Sequence, residues 1–403
     1  MNSIITDPTI IDDFLTRRIN EVIPNKDELR KRLLSGKRLR LYQGFDPSSA
    51  NLHIGHLVGL LALKTFQDLG HEVIFLIGDF TATIGDPSGK DKTRVPLTLE
   101  QTRINAQSYQ DQVKTILKFD GDNPAQLKFN SEWLKEVKLE ETLQLAMGFT
   151  VQQMIEREMF QRRLKENKPI SLHEFLYPVL VTKDALAMDV DIEMGGFDQL
   201  FNMSVGRHVI KSVSGKDKLA VTTPILADAN GVKIGKTAGN AIDIANPPEQ
   251  LFGQIMSLPD EAIMPCFKLI TLVPTSTLTD IEQQIQNNPM ETKKELAWEI
   301  VKMVQGEEKA DFAKDYFEKT VQSRAVPEEI ATFEISKLSQ TEPDIVTLLV
   351  ETGLAPSKSH GRRLIEQGAV EIDNQAISDP NKLIVPQPNQ IIRAGKRNYR
   401  KLI

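Results

Sequence analysis

Apolar and polar positions near the N-terminus follow a pattern that predicts a strand, a helix and a second strand. Leu39–Phe45 is a short apolar run that predicts a strand, and Leu52–Leu69 carries leucines at helical spacing. Gly70 is a typical helix stop, and the apolar run within His71–Asp79 predicts a strand buried on both faces. Strand, helix and strand in this order form a βαβ unit, so we predict an α/β protein with a parallel sheet and a right-handed crossover.

The rest of the chain is predicted to be mostly helical, with one more clear strand at Leu219–Leu226. Helical patterns cover the residues before about Leu33, then Leu99–Leu117, Val151–Leu164 and the region from Pro247 to roughly Val321. We predict a parallel-sheet domain over 1–226 with an inserted helical region around 120–190, a helical domain over 227–325, a polar linker over 326–342 and a small α+β domain over 343–403.

Composition limits the class of protein. The 403 residues suit two or three domains. No apolar run approaches the roughly 18 residues that a membrane span needs, and Met1–Asp7 lacks the pattern of a secretory signal. The single cysteine, Cys266, excludes an intrachain disulfide framework and a thiolate-built zinc site. We therefore expect a cytoplasmic protein with no membrane association.

Charge is distributed unevenly along the chain. The net charge is −6, yet residues 355–403 hold nine basic and four acidic side chains, which gives this segment +5 and leaves −11 for the rest. A small basic module on an acidic body indicates contact with phosphate, and nucleic acid is the partner that best fits a folded module of this kind.

Two histidines follow the first predicted strand and turn. His53 and His56 are three positions apart and share one face of the first helical turn, with Gly55 between them. A helix N-terminus carries unpaired N–H groups and partial positive charge, so the pair could stabilise a polyphosphate while Gly55 leaves room for a flat base. The same spacing also occurs on ordinary surface helices. A metal site is disfavoured because no third ligand lies nearby.

Two loops carry further cationic groups. Lys233 and Lys236 are three positions apart on a glycine-bearing loop that ends at Thr237, an arrangement suited to a pyrophosphate leaving group. The segment Ile84–Lys90, with Arg94 beyond it, follows the second strand at an edge where open α/β sheets bind ligands. Taken singly, either loop could be an ordinary solvated turn.

A glycine pair and several carboxylates complete the candidate chemistry. Gly195 and Gly196 would allow a ligand to approach the backbone, and Asp198 could bind a ribose diol. A buried carboxylate such as Asp184 could select a phenolic hydroxyl, with Tyr177 nearby.

The order of these motifs resembles that of a known family. The His53–His56 motif and the Lys233–Thr237 loop resemble the two signatures of class I aminoacyl-tRNA synthetases. Tyr42–Pro47, Ile84–Ser88, Asn130–Trp133 and Gly195–Gln199 resemble, more specifically, bacterial-type tyrosyl-tRNA synthetases, and Ser357–Ile365 with Gly368–Val370 resembles the S4-type RNA-binding domain that those enzymes carry. The resemblance covers nearly the whole chain. It implies a Rossmann-like parallel-sheet catalytic domain, then an α-helical tRNA anticodon-region domain and a small α+β S4-like RNA-binding domain.

The resemblance also implies an activity. The chain would activate tyrosine with ATP and Mg²⁺ to give tyrosyl-adenylate and pyrophosphate, and then transfer tyrosine to the terminal ribose of tRNA(Tyr). A homodimer is implied, and apolar positions within Leu127–Met159 could supply its interface. No protein-bound structural metal is expected, because Mg²⁺ would be held mainly by phosphates.

Site residues carried over from the family fall into four groups. The catalytic phosphate contacts are His53, His56, Lys233, Lys236, Thr237, Lys90 and Arg94. The ATP-binding positions are Ser48, Gly55, Asp198 and Lys236. The amino-acid pocket comprises Tyr42, Asp46, Thr81, Asp86, Asn130, Tyr177, Asp184 and Gln199. The RNA-binding positions are Lys358, Arg362, Arg363, Lys396 and Arg397.

The chain departs from the family pattern at two pocket positions. Val181 stands where the family usually has a glutamine that helps to hold the substrate ammonium, and Phe197 replaces a small hydroxyl residue. Losing one hydrogen bond to a charged group would weaken binding by roughly 1.5–3 kcal/mol. Two alternative functions stay open: an RNA-binding paralogue with altered or lost amino-acid specificity, and a nucleotidyltransferase of the same His-x-Gly-His superfamily.

Overall fold

The computed structural model describes residues 3–88, 97–235, 240–322, 330–373, 375–395 and 398–403. The chain divides into two units between Asp311 and Phe312. The first unit contains a six-stranded sheet. Its strands are β1 (Val22–Ile23), β2 (Arg40–Phe45), β3 (Glu72–Ile77), β4 (Gln126–Phe129), β5 (Ile192–Gly196) and β6 (Leu219–Thr223).

The sheet has the strand order β1-β6-β5-β2-β3-β4 and is parallel except at β1, which pairs antiparallel with β6. Strand β3 is buried from Val73 to Ile77 and has a parallel neighbour on each side, as its continuous apolar run predicts. The prediction of an α/β fold with a parallel sheet is therefore confirmed, as are the strands predicted at Leu39–Phe45 and Leu219–Leu226.

Helices make up much of the rest of this unit, and the last of them continues across the boundary into the second unit. They are α1 (Pro8–Arg17), α2 (Lys26–Leu34), α3 (Leu57–Asp68), α4 (Thr81–Ile84), α5 (Leu99–Val113), α6 (Ser131–Leu134), α7 (Leu139–Ala146), α8 (Val151–Ile155), α9 (Glu158–Lys165), α10 (His173–Ala187), α11 (Leu200–Ser214), α12 (Pro248–Met256), α13 (Ile263–Ile270), α14 (Leu278–Asn287), α15 (Pro289–Gln305) and α16 (Glu307–Phe317). Among the described residues, no helix is both long and apolar enough to cross a membrane.

Two predicted helices differ in detail from the structure. The helix predicted over Leu52–Leu69 begins with a 3₁₀ turn at Ile54–His56 before α3. The single helix predicted over Val151–Leu164 is wrong, because the chain forms α8 and α9 with a break at Arg157, whose ψ is 131°. The break turns the Arg157 guanidinium inward, where it lies 4.9 Å from the ring centroid of Phe201.

Two buried arginines join α1 to the end of α13. Arg17 donates to the carbonyl oxygens of Phe267, Lys268, Thr271 and Val273, and Arg18 donates to those of Leu269 and Thr271. Carbonyl groups at a helix C-terminus lack partners within the helix, so the two guanidinium groups satisfy them and attach the helical segment to the N-terminal helix.

The second unit contains a five-stranded sheet in the order β7-β11-β10-β8-β9. These strands are β7 (Thr332–Phe333), β8 (Val370–Ile372), β9 (Gln375–Ala376), β10 (Ile391–Ala394) and β11 (Asn398–Leu402), and the helices are α17 (Ile345–Glu351) and α18 (Lys358–Glu366). Leu348, Ile365, Val370 and Ile392 belong to its apolar core. Strand β7 lies within the predicted linker 326–342 and pairs in parallel with β11, so this polar stretch contributes to the sheet.

Candidate functional site

A cavity of about 410 Å³ opens at the carboxyl ends of β2, β3, β5 and β6. Every candidate of the first unit that the structure describes contributes to its lining, although these residues span positions 42 to 233. They are Tyr42, Asp46, Ser48, His53, Gly55, His56, Thr81, Asp86, Asn130, Tyr177, Asp184, Asp198, Gln199 and Lys233. Lys90, Arg94, Lys236 and Thr237 lie outside the described residues. A parallel sheet places its strand ends at one edge, which is why distant motifs meet there.

His53 and His56 form a compact turn at the edge of the cavity. Their ring centroids lie 3.9 Å apart. The Nδ1 atom of His56 accepts from the backbone N–H of His53 at 3.0 Å, and Nδ1 of His53 accepts from the backbone N–H of Gly55 at 3.1 Å. Because both Nδ1 atoms accept, a neutral ring carries its proton on Nε2 and can donate from there.

Gly55 lies in a tightly packed part of this turn. A Cβ atom at this position would lie 3.0 Å from the His53 ring and 3.4 Å from the carbonyl oxygen of Ile234. The His53 side chain and the backbone of the lysine loop therefore both approach the glycine closely.

The lysine loop is attached directly to the histidine turn. The N–H of Ile54 donates to the carbonyl of Ile242 at 2.9 Å, and the N–H of Ile244 donates to the carbonyl of Leu52 at 3.0 Å. These two bonds place the residues that follow the loop beside the histidine turn, and Lys233 lines the same cavity.

Asn240 connects the two sides of the lysine loop. Its Oδ1 accepts from the N–H of Gly235 at 2.8 Å, and its Nδ2 donates to the carbonyl of Lys233 at 3.2 Å. The Asn240 side chain thus holds together the two ends of the lysine loop.

Asp46 stands at the centre of a hydrogen-bond network in the cavity. Its Oδ2 accepts from the hydroxyl of Tyr177 at 3.0 Å, and its Oδ1 accepts from the hydroxyl of Thr81 at 2.8 Å. A Cβ atom on Gly78 would lie 2.1 Å from Oδ1, so only glycine leaves space for the carboxylate. Burial and the charge of Asp46 hold the pKa of Tyr177 well above its usual range.

Asp184 is fully buried at the opposite end of this network. Its oxygens accept from Trp133 Nε1 at 2.7 Å and from Asn130 Nδ2 at 3.1 Å, and Asn130 also donates to Thr81 at 2.9 Å. Burial raises the pKa of Asp184 to about 7, while the hydrogen bonds from Asn130 and Trp133 oppose that shift.

The hydroxyl of Tyr42 does not donate to Asp184. It donates to Glu193 Oε1 at 2.7 Å, although Tyr42 and Asp184 both line the cavity. Burial holds the pKa of Tyr42 well above its usual range, and the Asp184 charge adds to the effect.

Asp86 is held by polar contacts on two sides. Its Oδ2 accepts from Gln199 Nε2 at 2.7 Å, and its Oδ1 accepts from the N–H of Ser88 at 2.9 Å. The buried Arg157 in turn donates to the hydroxyl of Ser88 at 2.7 Å, which anchors this loop to the break between α8 and α9.

The two positions that depart from the family pattern lie in different surroundings. Val181 lines the cavity and brings an apolar side chain among its polar groups. Phe197 is 41% exposed and is not part of the cavity lining. Only the first change can therefore alter contacts made inside the cavity directly.

In the second unit, the described cationic candidates share helix α18. Lys358, Arg362 and Arg363 are exposed, and Ser357 caps the helix by accepting from the N–H of His360. Lys396 and Arg397 lie outside the described residues. A cationic helix of this kind suits contact with a phosphate backbone.

Several polar residues around the cavity were not anticipated from the sequence. Glu193 lines the cavity, the buried Lys218 contacts Glu193, and Arg157 anchors the loop of Asp86. The sequence gives no signal for Glu193, because Asp189–Met194 alternates charged and apolar residues, a pattern that predicts a solvent-facing charge. Arg157 gives no signal either, because it lies in an ordinary polar helical pattern.

The arrangement supports two kinds of binding in one cavity. Carboxylates and hydroxyls at one side can hold an ammonium group and a hydroxyl. Histidine and lysine side chains at the other side, close to a helix start, can hold anionic phosphate oxygens. Among the described residues, no group of three or more His, Cys, Asp or Glu side chains is arranged to hold a metal ion.

Comparisons with known proteins agree over almost the whole chain. The family model described as tRNA synthetases class I (W and Y) matches residues 34–322, and the model of a tyrosine–tRNA ligase SYY-like C-terminal domain matches residues 324–402. The tyrosine–tRNA ligase of Dehalococcoides mccartyi (strain CBDB1) is 42% identical over 397 residues, covering 98% of each chain. That of Thermotoga maritima is 40% identical over 392 residues, covering 96% of each.

Solved structures share the fold of this chain. A C-terminally truncated mitochondrial tyrosyl-tRNA synthetase of Coccidioides posadasii aligns with a TM-score of 0.64 at 24% identity, over 76% of this chain and 91% of its own. The tyrosyl-tRNA synthetase of Archaeoglobus fulgidus, complexed with L-tyrosine, aligns with a TM-score of 0.58 at 21% identity, over 76% of this chain and all of its own.

Proposed function

The chain belongs to the class I tRNA synthetases of the W and Y group, and we infer that it is a tyrosine–tRNA ligase. Enzymes of this class use ATP. The observation that carries the inference is the single cavity in which the histidine turn and Lys233 face the carboxylates of Asp46, Asp86 and Asp184. One side is suited to phosphates and the other to an amino acid.

We propose that the first step is an in-line displacement. The substrate carboxylate attacks the α-phosphorus of ATP, the bond to the bridging oxygen breaks, and pyrophosphate leaves with the electron pair. His53, His56 and Lys233 would stabilise the charge that develops on the phosphates, with Lys236, Thr237, Lys90 and Arg94 as further contacts. No side chain becomes covalently attached, so catalysis rests on positioning and electrostatic stabilisation.

The amino-acid site is assigned to the carboxylate network. Asp86 and Asp46 would hold the substrate ammonium, with Tyr177, Thr81 and Gln199 keeping these carboxylates in place through the bonds described above. Tyr42 and Asp184 would meet the phenolic hydroxyl, and Asn130 supports Asp184. Val181 cannot donate or accept, so the ammonium relies on the carboxylates.

The ATP site is assigned to the other side of the cavity. Ser48 and Gly55 would contact the nucleotide, and Asp198 would bind its ribose diol, since all three line the cavity. Mg²⁺ would enter with ATP and be held mainly by phosphate oxygens.

The tRNA that receives the amino acid and the formation of a homodimer are also proposals. Lys358, Arg362 and Arg363 of α18, with Lys396 and Arg397, would contact the phosphate backbone of tRNA(Tyr). A homodimer would form through the apolar face of α7, where Leu139 and Leu143, together with Met147 just beyond the helix, are all exposed. The enzyme would work in the cytoplasm, where tRNA is charged.

Exchange of labelled pyrophosphate into ATP, measured with each proteinogenic amino acid in turn, tests the function. We expect exchange with tyrosine and charging of tRNA(Tyr). Absence of exchange with tyrosine would contradict the proposal, and exchange with another amino acid would show that Val181 has changed the specificity. Exchange without charging would point to an acceptor other than tRNA(Tyr).

A further inference from the structure

A buried ion pair lies directly behind the cavity. Lys218 is fully buried and its ammonium contacts Glu193 Oε2, while Glu193 is itself only 3% exposed. The other oxygen of the same carboxylate accepts from the hydroxyl of Tyr42 at 2.7 Å. The three groups form a continuous chain from the interior of the fold to the cavity wall.

The fold brings these three side chains together. Tyr42 and Glu193 are partners in the parallel pairing of β2 and β5, so their side chains lie on the same face of the sheet. A Cβ atom on Gly206 would lie 2.8 Å from the hydroxyl of Thr182 and 3.8 Å from Lys218 Nζ. The glycine of helix α11 therefore leaves space for Thr182, and Lys218 Nζ lies at ordinary contact distance from the same position.

Stability alone does not account for the pair. Desolvating two charges offsets most of their attraction, and apolar residues of similar volume are often at least as stabilising. Burial lowers the pKa of Lys218 to about 7. The pair does reach the cavity, because Glu193 accepts from the hydroxyl of Tyr42.

A role for the pair follows from the single proton of the Tyr42 hydroxyl. That proton is donated to Glu193 Oε1, and a carboxylate ionised beside Lys218 has no proton of its own to donate back to Tyr42. The Tyr42 oxygen can then only accept from a ligand. The oxygens of Asp184 also accept, from Asn130 and Trp133, so this end of the cavity presents acceptors.

We propose that Glu193 and Lys218 are positioning residues. They orient the proton of the Tyr42 hydroxyl away from the cavity, so that its oxygen can only accept a hydrogen bond from a ligand. The cavity then selects an aromatic ring whose para group donates a hydrogen bond. This inference rests on the proposed placement of the substrate hydroxyl beside Tyr42 and Asp184. A phenol can donate a hydrogen bond to these acceptors. An unsubstituted ring leaves a buried acceptor unpaired, which lowers its binding relative to a phenol by roughly 10- to 100-fold.

The double variant Glu193→Gln/Lys218→Met tests the proposal in the full-length enzyme. The amide can donate or accept, so the Tyr42 proton is no longer committed. We expect the ratio of kcat/KM for tyrosine over phenylalanine in pyrophosphate exchange to fall about 10-fold. KM for ATP should stay unchanged. An unchanged ratio in a folded variant, or equal rises of both KM values, would overturn the proposal.

A matched control is the ion pair of Arg163 and Glu174, which is equally buried and lies outside the cavity lining. The variant Arg163→Met/Glu174→Gln should leave the tyrosine-over-phenylalanine ratio unchanged. If this control lowers the ratio as much, loss of any buried pair is sufficient and the proposal fails.

Two further measurements separate the possible failures. Should the double variant not fold, the unaltered enzyme can be given 4-aminophenylalanine, whose para group donates, and 4-fluorophenylalanine, whose para group does not. Equal KM values for the two would overturn the proposal. Tyr42→Phe tests the proposed position of the substrate hydroxyl. If this variant leaves KM for tyrosine unchanged, the proposed hydroxyl site is wrong. If it raises KM for tyrosine while the double variant has no effect, only the role of Glu193 and Lys218 is excluded.

Discussion

The imidazole ring of His53 lies 3.9 Å from that of His56, and each ring accepts a backbone N–H through Nδ1. This arrangement determines which ring nitrogen of each histidine accepts a hydrogen bond and which one donates. The backbone holds one nitrogen of each ring and thereby sets the tautomer, so that Nε2 is the donor. Local structure and proposed chemistry therefore use different atoms of the same histidine, and substitutions can separate the two roles.

Substitution of His53 should separate capping from phosphate contact. In His53→Asn, Oδ1 stands near the place of Nδ1 and can keep the bond to Gly55 N–H, but the Nε2 donor is lost. We expect kcat for pyrophosphate exchange to fall about 100-fold, as when one preorganised donor is removed from a transition state. The melting temperature should stay within the error of the parent enzyme.

The companion variant His53→Gln reverses the comparison, because its Nε2 reaches toward the position of the imidazole Nε2 while the short cap is lost. It should keep more of kcat than His53→Asn and melt at a lower temperature. If both variants lose activity and stability in parallel, the two atoms do not have separate roles.

The helix α18 prediction concerns tRNA charging. Arg362→Ala removes one exposed guanidinium and should raise KM for tRNA(Tyr) without changing pyrophosphate exchange. The slope of log affinity against log salt concentration should fall by about 1, the amount expected for one lost phosphate contact. Filter binding over a salt series measures this slope.

Lys31→Ala is the control for α18, because Lys31 is an exposed lysine on α2 in the first unit, outside both proposed tRNA-contacting domains. It should leave both KM and the salt slope unchanged. A similar effect of both substitutions would mean that α18 contributes only general positive charge.

The apolar face of α7 should control assembly. Leu139, Leu143 and Met147 are 74%, 57% and 78% exposed and recur every four residues, so they form one stripe. Leu143→Glu places a charge in that stripe and should convert a dimer to a monomer in sedimentation equilibrium. Leu383→Glu, at an exposed apolar position of the second unit, should leave the dimer intact. A monomeric parent protein would contradict the proposed interface.

Much of the fold could be predicted because apolar periodicity responds to burial. Strand β3 reads as a continuous apolar run since both of its faces are covered, and Gly70 ends the preceding helix as predicted. The break between α8 and α9 could not be predicted, because Arg157 at the break contacts Ser88, a partner 69 positions earlier in the chain. Periodicity reports local burial and carries no information about such a partner.

The sequence motifs identified residues that meet in one cavity, but not the hydrogen bonds that connect them. Motif positions such as Tyr42 and Asp184 do line one cavity. Their hydrogen-bond partners were not predictable, since the direction of the Tyr42 hydroxyl depends on Glu193 in another strand. Pairing between strands far apart in sequence is decided by register, which a single sequence does not specify.

The buried His71 should make stability depend on pH. Its Nδ1 accepts from the N–H of Leu39 at 3.3 Å, and burial, aided by Arg38 and opposed by Asp191, lowers its pKa from 6.5 to about 4. The unfolded chain therefore binds a proton between these pH values while the folded chain does not. The free energy of unfolding should fall by up to about 3 kcal/mol as pH drops from about 6.5 to 4.

The variant His71→Asn keeps an acceptor for the N–H of Leu39 but does not titrate. Its free energy of unfolding in urea should therefore fall less over the same pH window. The control His208→Asn, at an exposed histidine, should behave like the parent. Equal acid losses in the parent and in His71→Asn would show that His71 does not contribute.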